Sequence, residues 1–470
     1  MHGARRWILL AFGPILGCSK PIQEGDWPMW GGRPDRNMVS AGMDLPLTWK
    51  DKSGSIRWVA ELGTHAYGSP SIKAGRIFIG SNNGKPRNSA IQGDRGVLMC
   101  FSARDGGFLW QAVHEKLPTG DAEDWKEIGV CSTPCVVEDR VYYVSNRAEV
   151  ACLDAEGFRD GENDGPMTSE RLTGREDADF IWVLDMRREL GVSTYQASAS
   201  SPLVVGDLVF VVTGQGADHE SDRVKNPNAP SFIAVDRRTG EVAWKDASPG
   251  EKIFLGQWGS PAYGIVNGTP QVAFPGGDGW LYAFEPATGK PLWKFNCKSH
   301  EEKPSPDHLI ATPVYAGDRV LVSIGRDTEH AGAGCLRAID ARGRGDVTRT
   351  AEVWRLANDD FGSSISDATV HGGLVYAIEI DGFLNCVELE TGRRLWRHDL
   401  QAAVWGSPLV ADGRIYVQTG DGDVVVFAVG REPTVLAKNS LPHTSHGTPV
   451  AAGGVLYVVG DSRLYAISKE

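Results

Sequence analysis

From residue 54 to the C-terminus, apolar positions come in short runs joined in pairs by Gly, Asp or Asn. The pairs read "SPSIKAGRIFIG" (69–80), "TPCVVEDRVYYV" (133–144), "SPLVVGDLVFVV" (201–212), "SPAYGIVNGTPQVAF" (260–274), "TPVYAGDRVLVS" (312–323), "DATVHGGLVYAI" (367–378), "SPLVADGRIYVQ" (407–418) and "TPVAAGGVLYVV" (448–459). β-Branched residues flanking a tight turn predict a hairpin, and proline is tolerated at a strand's first residue, where no ladder donor is required. Each hairpin precedes a third run ending near an acid, a turn, and a fourth run carrying tryptophan. These tryptophans are Trp58, Trp110, Trp182, Trp244, Trp293, Trp354 and Trp396, with Leu436 offered in the seventh unit. No helical period interrupts the pattern.

Four short strands in each unit of roughly 40–70 residues predict the blades of a propeller. The last hairpin reaches the C-terminus at "RLYAISKE" with only three strands, while an orphan strand, "GSIRWVAEL" (54–62), stands before the first. Pairing the two closes the ring and removes its exposed edges. The expected fold is therefore all-β, one eight-bladed propeller of four-stranded antiparallel blades over 54–470. The 470 residues would otherwise suggest about three ordinary domains.

Repetition extends to individual side chains. "AVDRRTGEVAW" (234–244) and "AFEPATGKPLW" (283–293) place a small residue, an acid, Thr-Gly and Trp at the same offsets. In a radial stack, the indole of an outer strand can pack over a small residue and a turn of its neighbour. The small position is filled by Ala234, Ala283, Ala338, Ala428 and Ala466, and by Cys100, Cys152 and Cys386. Those cysteines read as small buried hydrophobes. Cys131 and Cys135 are separated by roughly 13 Å of extended strand, too far for a bridge, so no disulfide framework is expected.

The motif Ala-x-Asp-x-x-Thr-Gly-x-x-x-Trp, complete at 234–244 and close to it at 283–293 and 386–396, resembles the tryptophan-docking repeat of the pyrroloquinoline quinone family of β-propellers. Quinoprotein dehydrogenases of that family hold their quinone beneath a ring of adjacent cysteines, with Ca²⁺ on Glu and Asn and an Asp as base. This chain has no Cys-Cys pair, and neither the metal ligands nor the base can be carried over. The resemblance thus implies the fold and withdraws the quinone. The chain is also similar to BamB-type envelope lipoproteins, which act as binding scaffolds, and to planctomycete-type envelope propellers, which often begin like "DWPMWGGRPDRN" (26–37).

The N-terminus supports an envelope setting. Arg5 and Arg6 precede a short apolar stretch, Trp7 to Leu16, and then Gly17-Cys18. The stretch is too short to span a bilayer, and "ILGC" resembles a lipobox. Residues 1–17 are expected to be a signal peptide, Cys18 a lipid anchor, and 18–53 an N-terminal linker or extension. Sixty acids against 48 bases, net charge -12, disfavour nucleic acid.

Candidate chemistry lies in the loops of the face that carries the long insertions at 81–96, 214–231 and 325–334. Trp258 and Trp405 stand just ahead of inner strands, where an indole could stack on a ligand or simply cover a blade seam. Asp367 replaces the hydroxyl that opens the other hairpins, which places a carboxylate near the channel or in a local turn. His308 beside Asp307 could act as a base, though no nucleophile stands at motif spacing. His219 with Asp218 and Glu220, and His330 with Asp327 and Glu329, could meet as ligands, but their spacing matches no zinc pattern. "DGENDG" (160–165) resembles the start of an EF-hand loop, offering Asp160, Glu162 and Asp164 to Ca²⁺. Glu162 at its third place and Arg171 at its twelfth depart from that pattern.

The expected function is a non-catalytic scaffold. It would be exported, lipid-anchored and monomeric, binding an envelope protein or polymer on the propeller face without a cofactor. The alternative is a quinoprotein-type oxidoreductase with a ligand at the channel mouth.

Overall fold

The computed structural model describes residues 25–50, 54–298, 309–325 and 333–469. They form eight sheets around a central axis, each of four antiparallel strands, with a fifth strand added to one of them. We number the blades in chain order. Their inner strands are Ser71–Lys73, Cys135–Val137, Leu203–Val205, Ala262–Val266, Val314–Ala316, Thr369–His371, Leu409–Ala411 and Val450–Ala452. Blade 8 is completed by Ile56–Glu61, paired antiparallel with Arg463–Ile467. The ring closes through its own ends.

Registers explain the repeat. Trp110 pairs with Cys100, Trp182 with Cys152, Trp244 with Ala234, Trp293 with Ala283, Trp354 with Ala338, Trp396 with Cys386 and Trp58 with Ala466. The register shifts beside each of these pairs. Such a bulge bends the outer strand and re-aims its side chain. The indole then reaches the neighbouring blade: Trp182 Nε1 donates to the Arg237 carbonyl at 3.0 Å, Trp244 to Pro286 at 2.8 Å and Trp354 to Leu389 at 2.7 Å. Trp293 differs, donating to Gln271 Oε1 at 2.8 Å, while Gln271 Nε2 donates to the Ala341 carbonyl. Here an insertion from blade 5 has added the strand Gly345–Asp346 to the edge of blade 4, and glutamine carries the contact onward.

Blade 7 corrects two sequence assignments. Ala437, not Leu436, occupies the tryptophan position, opposite Val426 rather than Ala428. Leu436 is exposed. With no indole opposite, the third strand accommodates the larger valine, and the seam towards blade 8 is filled from elsewhere: Trp49 is buried in the same apolar cluster as Val426, with Ala437 packed against it.

Trp49 ends a segment that belongs to the ring's interior. Every inner strand has one unpaired edge facing the axis, whose polar groups need partners. Residues 26–40 provide them in turn. Trp27 exchanges two 2.8 Å backbone bonds with Ile72; Pro28, Pro34, Asp35 and Met38 accept through their carbonyls from Val136, Tyr263, Tyr315 and Val410. Asn37 both donates to and accepts from Val370, and Ser40 Oγ donates to Ala451. Arg36, fully buried, donates to the carbonyls of Trp30, Ser201, Pro202 and Pro261 at 2.7–3.1 Å. All eight blades are touched. The segment lies at the end where inner strands turn into second strands, since Asp26 binds Lys73 and Leu45 binds Asp412 of two such turns. That end of the channel is plugged.

Candidate functional site

The residue opening each inner strand has a structural task. Backbone N–H to side-chain oxygen bonds of 2.6–3.1 Å run from Ser69 to Thr133, Thr133 to Ser201, Ser201 to Ser260, Thr312 to Asp367, Asp367 to Ser407, Ser407 to Thr448 and Thr448 to Ser69. A girdle of six hydroxyls and one carboxyl thus links neighbouring blades at seven of the eight seams around the axis. In a strand, residues two apart share a face, so the position two before each girdle residue also faces the axis. These positions hold Tyr67, Cys131, Ala199, Trp258, Ile310, Ile365, Trp405 and His446, and all eight line one cavity of about 560 Å³. The residue between must be small: a Cβ on Gly406 would come within 2.3 Å of the Gly447 carbonyl oxygen.

The cavity opens away from the plug, and Trp30 and Asp367 lie at its base. Two aromatic groups face each other across the ring. Tyr67 and Trp405 each lie 4.9 Å from His446, on blades 7, 8 and 1. Tyr195 lies 6.1 Å from Trp258, leading into blades 3 and 4. His446 Nδ1 is 3.0 Å from Asp461. Trp125, 47% exposed, extends the wall to the rim. Leu255, also in the lining, has φ +126°, a strained conformation for leucine of the kind that collects at binding sites.

Asp367 is the buried acid here. Its Oδ1 accepts from the Thr312 amide, doing what a serine does in other blades, and its Oδ2 accepts from Trp30 Nε1, each at 2.6 Å. Burial pushes its carboxyl up to about 7, against the opposing pull of those bonds and of nearby Arg36. Burial lowers Arg36 to about 10. The Cys131 thiol is pushed up to about 12, again by burial, so it is not a ready nucleophile.

Of the sequence candidates, Trp258, Trp405 and Asp367 come together in this cavity. His219 stacks on Tyr195 at 5.5 Å, behind the wall, while Asp218 pairs with Lys225. His308, His330 and Cys18 lie outside the described residues. Tyr67, Cys131 and His446 were missed in the sequence reading, although the same two-residue offset before Ser/Thr-Pro marks them. At 160–165, Asp160 and Asp164 do converge, but with Asp154 in place of Glu162. Glu162 instead contributes its backbone N–H to Asp160. Arg140 lies 2.5 Å from Asp154 and 4.0 Å from Asp164, so a guanidinium already supplies the counter-charge.

The model of the family described as "Outer membrane protein assembly factor BamB" matches residues 174–333 and 332–467. The chain belongs to this family. BamB of Yersinia pestis is 24% identical over 236 residues, 49% of this chain and 54% of that protein. The match thus spans about half the length of that relative, and 28% of BamB of Escherichia coli. The crystal structure of BamB from Moraxella catarrhalis superposes with a TM-score of 0.56 at 16% identity, covering 88% of this chain and 96% of that one. A europium-containing methanol dehydrogenase gives 0.65 at 12% identity, covering 95% and 98%. At these identities the likeness is one of fold.

Pyrroloquinoline quinone does not suit the donor set of this BamB-family cavity. The quinone is a tricarboxylate, and a buried carboxylate needs cationic partners. Among the described lining residues there is no Lys or Arg. Asp367 would repel the ligand, and the donors of Arg36 are turned to backbone carbonyls. The seven described cysteines are free thiols, and the sequence contains no adjacent pair.

Proposed function

We propose that this BamB-family protein is a non-catalytic binding scaffold of the bacterial envelope, exported and anchored through a lipid on Cys18. It works as a monomer and holds an envelope protein or polymer on its cavity-bearing face. The observation carrying this reading is the cavity: aromatic, closed at one end by the chain's own N-terminal segment, and without donors suited to pyrroloquinoline quinone among its described lining residues. Large aromatic side chains around a concave site supply most of the energy in protein recognition, and Trp125 and Phe254 remain about half exposed on this side. The N-terminal motif supports the anchor.

The test is in cells. A photo-cross-linking residue at Trp125 or Phe254 should capture an envelope component, and one at Ile265, on blade 4's inner hairpin, should not. Cys18→Ser should release the protein from membranes. Equal capture from both positions, or none from either, counts against the reading. A quinone absorption band in the purified protein, together with alcohol oxidation, would favour the oxidoreductase instead.

A further inference from the structure

The cavity combines features that select for charge. Its walls carry aromatic side chains from opposite sides of the ring, Trp405 and Tyr67 against Trp258 and Tyr195, with Trp30 beneath. Its base holds a carboxyl, at a position where six other blades use a hydroxyl to accept the same bond from the neighbouring blade. The second oxygen of Asp367 is therefore surplus to the girdle, and it accepts from the indole of Trp30. The described lining contains no Lys or Arg. His446 is turned through Nδ1 to Asp461. Arg36 lies on the plug side, bonded to four carbonyls. Aromatic side chains around a buried acid suit a cation that can shed its water, and a protein of net charge -12 draws cations towards it.

We infer that the axial cavity is a receptor for an organic ammonium group, the cationic head entering between Trp405, Tyr67, Trp258 and Tyr195 above the carboxyl of Asp367. The inference rests on the reading of this face as the binding face and names its ligand chemistry. A strongly hydrated metal ion does not fit, because the walls offer few oxygens to replace its water. A quaternary ammonium does, because its charge is diffuse, and so does a primary alkylammonium, whose apolar stem can lie along the aromatic walls. That charge can be carried by a free quaternary ammonium compound or by a lysine side chain of a partner.

Calorimetry at low ionic strength separates these sources. One arm compares choline with its uncharged isostere 3,3-dimethylbutan-1-ol. The other compares Nα-acetyl-lysine methylamide with Nα-acetyl-norleucine methylamide. We expect the cation to bind at least about tenfold more tightly than its neutral counterpart in one arm. Asp367→Ser, which keeps the girdle oxygen and so the fold, should reduce that ratio to near unity. Trp405→Ala should weaken the preferred cation by a similar factor while leaving thermal unfolding cooperative. Equal binding of cation and isostere in both arms, or selectivity that survives Asp367→Ser, overturns the inference. Capture of a partner on this face without ammonium selectivity leaves the scaffold and removes the cation. Selective ammonium binding without any captured partner does the reverse.

Discussion

A single carboxyl, Asp367, shows how a residue can serve the ring and still charge for it. Unfolded, it titrates near 3.8; folded, burial raises it to about 7, even with Arg36 nearby to favour the anion. Between those values the native state holds a proton that the unfolded chain has released, so stability falls as pH rises through the window and levels off above it. Asp367→Ser should therefore make the slope of the unfolding midpoint between about pH 4 and pH 7 less negative, measured by thermal melts of both proteins; the burial of Asp179, raised to about 6, leaves a smaller slope of the same sign. A wild type that tracked the variant across that range would contradict the burial of Asp367. Glu149 has the opposite sign. Burial would raise it, but bonds from His114 and Ser145 and the charge of Arg147 outweigh this and hold it at about 2, so its contribution is lost only as pH falls below its ordinary range. Much of the site was legible at this scale by residue type alone. Trp258 and Trp405 are conspicuous before Gly-Ser-Pro, and Asp367 breaks a run of hydroxyls. Cys131 and His446 were not legible, because only the two-residue offset, and no unusual chemistry, sets them on the axis.

At the level of the blade, the docking indole needs an approach that only glycine permits. Gly289 has φ +69°, and a Cβ there would sit 2.6 Å from the ring of Trp244. Gly268 has φ +76° with nothing within 4 Å. Gly268→Ala should thus lose only the backbone preference, about 1 kcal/mol. Gly289→Ala should lose that and an overpacking penalty of about 1–3 kcal/mol more, a difference readable in urea midpoints. Equal losses would mean that the indole does not press on the turn. Trp49→Ala extends the same logic, since Trp49 fills the seam beside blade 7: it should destabilise by about 3–5 kcal/mol, as a large buried aromatic does, and match Trp396→Ala. The blade count and strand order were readable in the sequence because period-2 alternation, turn residues and tryptophan recur together. Blade 7 was not, because Val426 and Ala437 lack the repeat's diagnostic side chains. Only pairing register reveals that they hold its positions.

For the whole molecule, one stretch of chain performs two closures: residues 26–40 plug the axis and run on along blade 7 to Trp49, and Ile56–Glu61 completes blade 8. Sequence patterning shows the second, since it is an ordinary strand. It does not show the first, because the plug has no period of its own; its spacing follows the ring's inner edges, which exist only after folding. The two closures should be separable. A protein lacking residues 25–50 but keeping Ile56–Glu61 should still form a closed monomer, since the pairing with Arg463–Ile467 is untouched. It would expose the surfaces covered by Trp27, Met29, Met38, Leu45 and Trp49, all buried. At about 1.5–3 kcal/mol per large side chain, the gross loss of about 10 kcal/mol, reduced by the entropy regained, approaches the stability of a whole domain. The urea midpoint should fall sharply while gel filtration still reports a monomer. Removing Ile56–Glu61 as well should leave Arg463–Ile467 as an open sheet edge, and self-association should follow. If the first truncation unfolded at the wild-type midpoint, the plug would be a passenger rather than part of the ring. If it self-associated as readily as the second, the strand alone would not close the circle.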